Sequence, residues 1–205
     1  ASNITLKAGV TSSGKLTALE MTCTGTGGPF PAGGVSLVDW QVRDLYLCAN
    51  VRTECTDVFT NAGVTRPFRA PGHPQGSWAL EQMMDQLARE IGMDPVQLRL
   101  KNIPERSQAR GDRPYSTTGL ARCLSEGSEA FGFVQARESS GPLKDRPHVR
   151  RGTGVAACSW IAGAGGPPCT VIVKLFADGS VNLNMGASDI GTGTKTVMAM
   201  VVSEE

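Results

Sequence analysis

Between residues 67 and 76 the chain reads Pro67-Phe68-Arg69-Ala70-Pro71-Gly72-His73-Pro74-Gln75-Gly76, three prolines and two glycines in ten residues. Each proline fixes its own φ and removes a backbone donor, so the stretch is expected to hold a rigid, irregular course with no regular element. The next fifteen residues are periodic. From Ser77 to Ile91, Trp78, Leu80, Met83, Met84, Leu87 and Ile91 recur at three- and four-residue spacing, the stripe of an amphipathic helix. Glu81, Gln82, Asp85 and Arg89 fall elsewhere on the wheel. Gly92 supplies the stop, and Asp94-Pro95 the N-cap and first position of a second helix that carries Val96, Leu98 and Leu100 to about Asn102. A stiff loop feeding two consecutive helices is thus the part of the sequence to which the rest must adapt.

Around it the pattern is extended. Ile4-Thr5-Leu6-Lys7 and Leu16–Met21 flank the turn Ser12-Ser13-Gly14-Lys15, which predicts a hairpin. Residues 25–34 read as a loop, and Trp40–Arg52, with Val42, Leu45, Leu47 and Val51, as a short strand. Thr118 is expected to cap a third helix, Gly119–Ala130, with Leu120, Cys123 and Leu124 on one face. Thr170–Phe176 and Val181–Met185 flank Asp178-Gly179, a hairpin signal for a type I′ turn. A helix is expected over Thr196–Glu205. The predicted class is α+β, with antiparallel or mixed sheet hairpins and helices packed on one face. The predicted layout is a first region at 1–135, a charged linker at 136–151 and the start of a second α+β half at 152–205.

Composition excludes several roles. Among 205 residues, 20 are Lys or Arg and 19 are Asp or Glu, a net charge of +1 that argues against broad binding to nucleic acid or membrane surface. No apolar run reaches membrane-spanning length. The six cysteines form no C-x-x-C pair and the two histidines lie far apart, so no metal site is expected. Free, buried thiols are the preferred reading. No secretory signal is visible, leaving the cytoplasm as the default location with the periplasm open. The sequence opens in a strand and closes in an unterminated helix, so a piece of a longer protein is expected.

Two places could carry chemistry. Gly186–Thr196 joins a strand to a helix through glycines and threonines, either as a tight corner or as an anion site at a helix N-terminus. It matches neither G-x-x-x-x-G-K-[ST] nor G-x-G-x-x-G. Arg69, on the stiff loop, is either aimed at an oxyanion or spent on loop carbonyls. His73 reads as a structurally bonded or exposed loop histidine, and Arg99 as a solvated side chain.

Taken together, the loop Pro67–Gly76, the helix with Glu81 and Asp85, and the run Gly92–Asn102 resemble the molybdopterin-binding subunit of the xanthine dehydrogenase and aldehyde oxidase family, which reads F-R-G-x-G-x-P-Q, E-x-x-x-D and G-x-x-P-x-x-x-R-x-x-N. Ala177-Asp178-Gly179-Ser180, Gly186 and Asp189–Gly193 resemble its D-G-x … G-x-x-(E/D)-x-G-Q-G element. The resemblance implies part of a larger molybdenum-cofactor-binding domain in a molybdenum hydroxylase. In that family, hydroxide on the metal attacks an electron-poor carbon of an aldehyde or N-heterocycle as hydride passes to Mo=S. Electrons leave through [2Fe–2S] centres and FAD on other domains or subunits. The pterin form, mono- or dinucleotide, stays open.

By the same resemblance Arg69 is the catalytic arginine facing substrate. Ile190, Gly191, Thr192, Gly193 and Arg99 contact the cofactor, and Phe68, His73 and Trp160 fall near the substrate pocket. Thr192 stands where the family usually has Gln, Ala70-Pro71 where it has Gly and an aromatic residue, and His73 where many members have Gly. The family's G-G-x-F-G loop and its catalytic Glu are expected outside residues 1–205. The alternative is a non-catalytic relative acting as an interaction or anion-binding module.

Overall fold

The computed structural model describes residues 2–30, 35, 37–66, 68–115, 117–160 and 169–205. Two compact units divide between Trp160 and Ile161. Pro67 falls outside the described residues.

In the first unit, β1 (Ser2–Val10) and β2 (Leu16–Gly28) pair antiparallel. The chain then crosses through α1 (Trp40–Asp44) and returns as β3 (Val51–Phe59), parallel to β2. The sheet is therefore mixed, in the order β1-β2-β3. The strand expected over Trp40–Arg52 is instead a helical turn followed by the start of a strand. Val42 and Leu45, three residues apart, fit one side of a helix as well as a strand, and a parallel return needs a crossover. In β2, Leu19, Met21 and Cys23 alternate inward, as the period of a strand requires.

Helix α2 (His73–Glu90) lies against this sheet and against α1. It begins four residues before the expected Ser77. Pro74 sits in its first turn, where the missing N–H costs nothing, and Gly72 with φ 81° provides the turn into it. The buried stripe is His73, Gly76, Leu80, Glu81, Met84, Leu87 and Ala88. Trp78, placed on the apolar face by its spacing, is 70% exposed, whereas Glu81, placed on the polar face, is buried. Gly76 is where α2 crosses the chain most closely. A Cβ there would run into the Val38 carbonyl oxygen.

α3 (Pro95–Lys101) starts as its sequence predicts. Asp94 Oδ1 accepts the Val96 and Gln97 N–H groups, both at 2.9 Å. At its end Asn102 clamps the first hairpin. Its Nδ2 donates to Gly14 O and Leu98 O, both at 2.8 Å, and its Oδ1 accepts Leu16 N–H at 3.0 Å. Gly14, at φ 87°, lies so near that a Cβ would stand 2.7 Å from Met93 Sδ.

Two short pairs come next, β4 (Arg106–Ser107) with β5 (Arg113–Pro114), and β6 (Gly141–Pro142) with β7 (Arg150–Arg151). Between them run α4 (Leu120–Phe131) and α5 (Phe133–Glu138). Gly119, not Thr118, holds the cap position of α4, with no side-chain bond, and of its expected face only Leu124 is buried.

The second unit comprises β8 (Val171–Leu175), β9 (Val181–Met185) and α6 (Thr194–Glu204), which has no buried residue. The hairpin forms as expected but its turn differs. Gly179 N–H donates to Phe176 O at 2.9 Å and only Gly179, not Asp178, has positive φ, so Ala177-Asp178 form an ordinary turn closed by a left-handed glycine. Asp178 Oδ1 accepts Ser180 N–H and Oγ–H at 3.0 and 2.7 Å, which favours this form.

All six cysteines are free, but only Cys23 and Cys48 are buried. The expectation of buried thiols fails at Cys55, Cys123, Cys158 and Cys169, which lie on surface-facing positions of their segments. Among the described residues no helix is long and apolar enough to cross a membrane.

Because Gly76 meets backbone rather than a movable side chain, Gly76→Ala is expected to cost about 3 kcal/mol in urea unfolding. Gly63→Ala, at a site with open space around it, serves as the control and should stay within about 0.5 kcal/mol of the parent.

Candidate active site

The first unit is organised around a buried carboxylate. Glu81 Oε1 accepts the Tyr46 hydroxyl at 2.7 Å, while Oε2 accepts Arg99 Nε at 2.7 Å and Ala157 N–H at 2.8 Å. Arg99 is 0% exposed. Its Nη1 donates to Pro95 O at 3.0 Å and lies 2.9 Å from Asp85 Oδ1, and its Nη2 donates to Glu81 O at 3.2 Å. Burial works against the guanidinium's charge, but Glu81, Tyr46 and Asp85 outweigh it and raise its pKa above the ordinary value. Burial first, then the Glu81 charge, drives the Tyr46 phenol well above its usual range, so it stays a donor.

This network fixes a piece of extended chain. Beyond the Glu81–Ala157 bond, the fully buried Gln41 of α1 holds Ser159 on both sides. Its Nε2 donates to Ser159 O at 2.6 Å, and its Oε1 accepts Ser159 N–H at 3.2 Å. Trp160 comes next, 54% exposed, with its ring centroid 4.3 Å from that of His73 and tilted by 53°. His73 itself is 4% exposed and its Nδ1 lies 3.2 Å from Pro71 O. Phe68, 97% exposed, and Arg69, also exposed, stand on the same loop. Ala70 takes φ 47°, a left-handed conformation natural to the glycine of the family motif and costly for alanine.

In the second unit the glycine loop closes on its own carboxylate. Asp189 Oδ1 accepts Gly191 N–H at 2.7 Å and Thr192 N–H at 3.1 Å, and Oδ2 accepts Lys195 N–H at 3.3 Å. These bonds lower the Asp189 pKa, that from Gly191 most. The amides that the sequence offered to an external anion are therefore taken by an internal one. Thr192 Oγ1 pairs with Thr194 Oγ1 at 2.9 Å, Ile190 is exposed, and a Cβ on Gly193 would meet only open space.

The structure thus joins His73 to Trp160 and carries Phe68 and Arg69 on the same loop. Arg99 it places elsewhere, inside the protein and not solvated as its sequence setting suggests, with its donors turned to Glu81, Asp85 and Pro95. Ile190, Gly191, Thr192 and Gly193 share one exposed loop of the other unit. The organising roles of three residues escaped sequence reasoning. Glu81 looked like a solvated helix position, though its four-residue spacing from Asp85 and the arginine downstream were visible. Gln41 gave no signal, being a polar residue whose partner lies 118 positions away. Asp189 was readable as an Asx turn ahead of a glycine. Among the described residues no group of three or more His, Cys, Asp or Glu side chains is placed to hold a metal.

Glu81→Gln is expected to destabilise the first unit by about 3–5 kcal/mol in urea unfolding, because it leaves the buried Arg99 short of charge compensation. Asp189 has a depressed folded pKa, so its hold on the loop is complete above the unfolded aspartate value and is lost as pH falls through the depressed one. The Gly191 and Thr192 amide resonances should hold steady down to about pH 4 and move below it. Asp189→Asn should abolish that titration.

Residues 1–103 and residues 126–205 each match a family model described as a molybdopterin cofactor-binding domain. The molybdenum-binding subunit PaoC of an aldehyde oxidoreductase from Escherichia coli O157:H7 is 31% identical over 97% of this chain and 26% of its own. The xanthine dehydrogenase molybdenum-binding subunit of the same organism is 33% identical over 71% of this chain and 20% of its own. The aldehyde oxidoreductase from Desulfovibrio desulfuricans ATCC 27774 superposes with a TM-score of 0.69 at 26% identity, covering 88% of this chain and 20% of that one. The chain spans about a quarter or less of the length of these relatives. With one such model matching residues 1–103 and a second matching residues 126–205, this chain belongs to the molybdopterin cofactor-binding domain family.

Proposed function

We propose that this chain is part of the catalytic subunit of a molybdenum hydroxylase that oxidises an aldehyde or an N-heterocycle. The observation that carries the reading is that residues 1–103 and then residues 126–205 match two molybdopterin cofactor-binding models, in order. The residues present suit a pterin. Gly193 leaves open space beside its backbone, Ile190 offers an exposed apolar contact, and Thr192 offers a hydroxyl in place of the amide usual in the family. When bound, such a cofactor supplies two-electron redox chemistry that no side chain here provides.

The chain's own residues act by position and charge. Asp189 holds the loop amides, so that Ile190–Gly193 meet a ligand in one fixed shape. This occupancy argues against the alternative of a simple anion-binding module. Arg69 stands exposed on the loop ahead of α2, where a guanidinium can stabilise negative charge developing on a substrate. Arg99 serves as the buried counter-charge that keeps α2 and α3 in register, a positioning role in place of the cofactor contact the resemblance implied. The carboxylate base, the [2Fe–2S] centres and FAD come from outside residues 1–205.

Molybdenum and pterin analysis of the natural-length protein from its own host tests the reading. Near-stoichiometric metal with oxidised-pterin fluorescence is expected, and absence of both in cells that make other molybdoenzymes overturns it. In the loaded enzyme, Arg69→Ala should lower kcat about 10²–10³-fold, the usual cost of removing one charge-stabilising donor. Its melting temperature should stay unchanged, since the side chain is exposed.

A further inference from the structure

The parallel register of β2 and β3 sets Cys23 directly opposite Cys55. Strands paired in a sheet run about 4.8 Å apart, inside the roughly 4.4–6.8 Å between Cα atoms that a disulfide spans. Residues opposite one another project from the same face of the sheet. Here it is the face toward α1, since Thr53, two residues before Cys55, donates to Asp39 Oδ2 at 2.8 Å. The two thiols interact as donor and acceptor, the Cys55 S–H toward Cys23 Sγ. Cys23 is 2% exposed, whereas Cys55, on the edge strand, is open to solvent. An outer thiol thus stands beside an inner one. Cys48, the other buried thiol, is engaged elsewhere, with Asn50 O at 3.4 Å. Burial first, and then the Asp39 charge, push the Cys55 thiol up to about 11, and burial raises that of Cys23 as well. Both are therefore kept as thiols at neutral pH, and exchange is slow until an oxidant is supplied in excess.

We propose that Cys23 and Cys55 form a redox site that reacts with a low-molecular-weight disulfide and closes into a reversible bond between β2 and β3. The exposed Cys55, as thiolate, attacks one sulfur of glutathione disulfide. A Cys55–glutathione bond forms, the oxidant's S–S bond breaks, and one glutathione leaves. Cys23 then attacks the Cys55 sulfur, the Cys23–Cys55 bond forms, and the second glutathione leaves. The protein dithiol is oxidised by two electrons, one glutathione disulfide is reduced to two thiols, and each protein S–H proton ends on a glutathione sulfur. The bond ties together the two ends of the crossover that carries α1, and with it Gln41, the anchor of Ser159. No cofactor takes part, so the site is independent of the molybdenum-hydroxylase reading.

Trypsin leaves Cys23, Cys48 and Cys55 on separate peptides, 16–43, 44–52 and 53–69, which makes the pairing readable. The folded natural-length protein is held with excess glutathione disulfide, its remaining thiols are blocked with N-ethylmaleimide, and the unreduced peptides are weighed by mass spectrometry. A linked pair of 16–43 with 53–69, lost on reduction with dithiothreitol, is expected in more than about half of the molecules, with Cys48 blocked by the maleimide. Cys23→Ser should leave Cys55 as its glutathione adduct, because no thiol remains to displace it. Cys55→Ser should leave Cys23 free of glutathione, because burial hides it. In the parent, a lasting glutathione adduct on Cys55, an unmodified Cys55, or links from Cys23 to Cys48 as abundant as those to Cys55 each overturn the proposal. These outcomes are read on the parent protein, so a variant that fails to fold leaves the test intact.

Discussion

A single buried ion pair sets the geometry of the first unit. Glu81 and Arg99 are neither separable nor replaceable one at a time, because each is the other's main compensation for leaving water. Such a pair contributes little net stability relative to an apolar substitute of the same volume. Its contribution is direction. The Glu81 carboxylate has a hydroxyl, a guanidinium and a backbone N–H arriving on fixed lines, and these come from the end of α1, from α3 and from the extended segment at Ala157. Helices packed only through Leu80, Met84 and Leu98 would slide at small cost, whereas helices tied through Glu81 cannot.

That constraint reaches the surface through short chains of bonds. Ala157 is tied to Glu81 and Ser159 to Gln41, so Trp160 leaves the core on a course already decided. His73 is fixed from the other direction, by the left-handed residues Ala70 and Gly72 and by its bond to Pro71. The exposed edge is assembled from two segments about ninety positions apart, each rigid for a local reason and meeting through one aromatic contact. The glycine loop of the second unit obeys a different logic. It needs no distant partner, because Asp189 supplies the anion its amides would otherwise seek.

Much of this is legible in the sequence. The helix after the stiff loop, the Asp94-Pro95 start, both hairpins and the terminal helix come from period and punctuation, which act within a few residues. The errors share a cause as well. Glu81 and Trp78 exchanged places because amphipathic spacing reads a carboxylate as outward and an indole as inward, and cannot see a guanidinium arriving from α3. Pro74 read as a breaker because the start of a helix is set by the residues ahead of it. The parallel return of β3 was hidden because strand order depends on a crossover whose only sequence sign was a five-residue helix. Of the candidate residues, Arg69 and His73 stood out on the stiff loop and Trp160 came from the family resemblance, while Gln41 had nothing local to announce it.

The two hairpins close alike. In each, the fourth residue of a five-residue turn is a left-handed glycine, and Thr11 and Phe176 bond in the same way to Lys15 and Ser180. The registers are thus locked locally, before any long-range packing. The consequence differs between them. The first hairpin has helix α2 against it, whereas Val171, Ile172, Val173 and Leu175 of the second are all exposed, with Lys174 the only charge in the strand. A short, register-locked, β-prone strand of this kind is a template for intermolecular pairing. Lys174 is the one charge that interrupts this apolar row, the kind of residue that discourages such pairing.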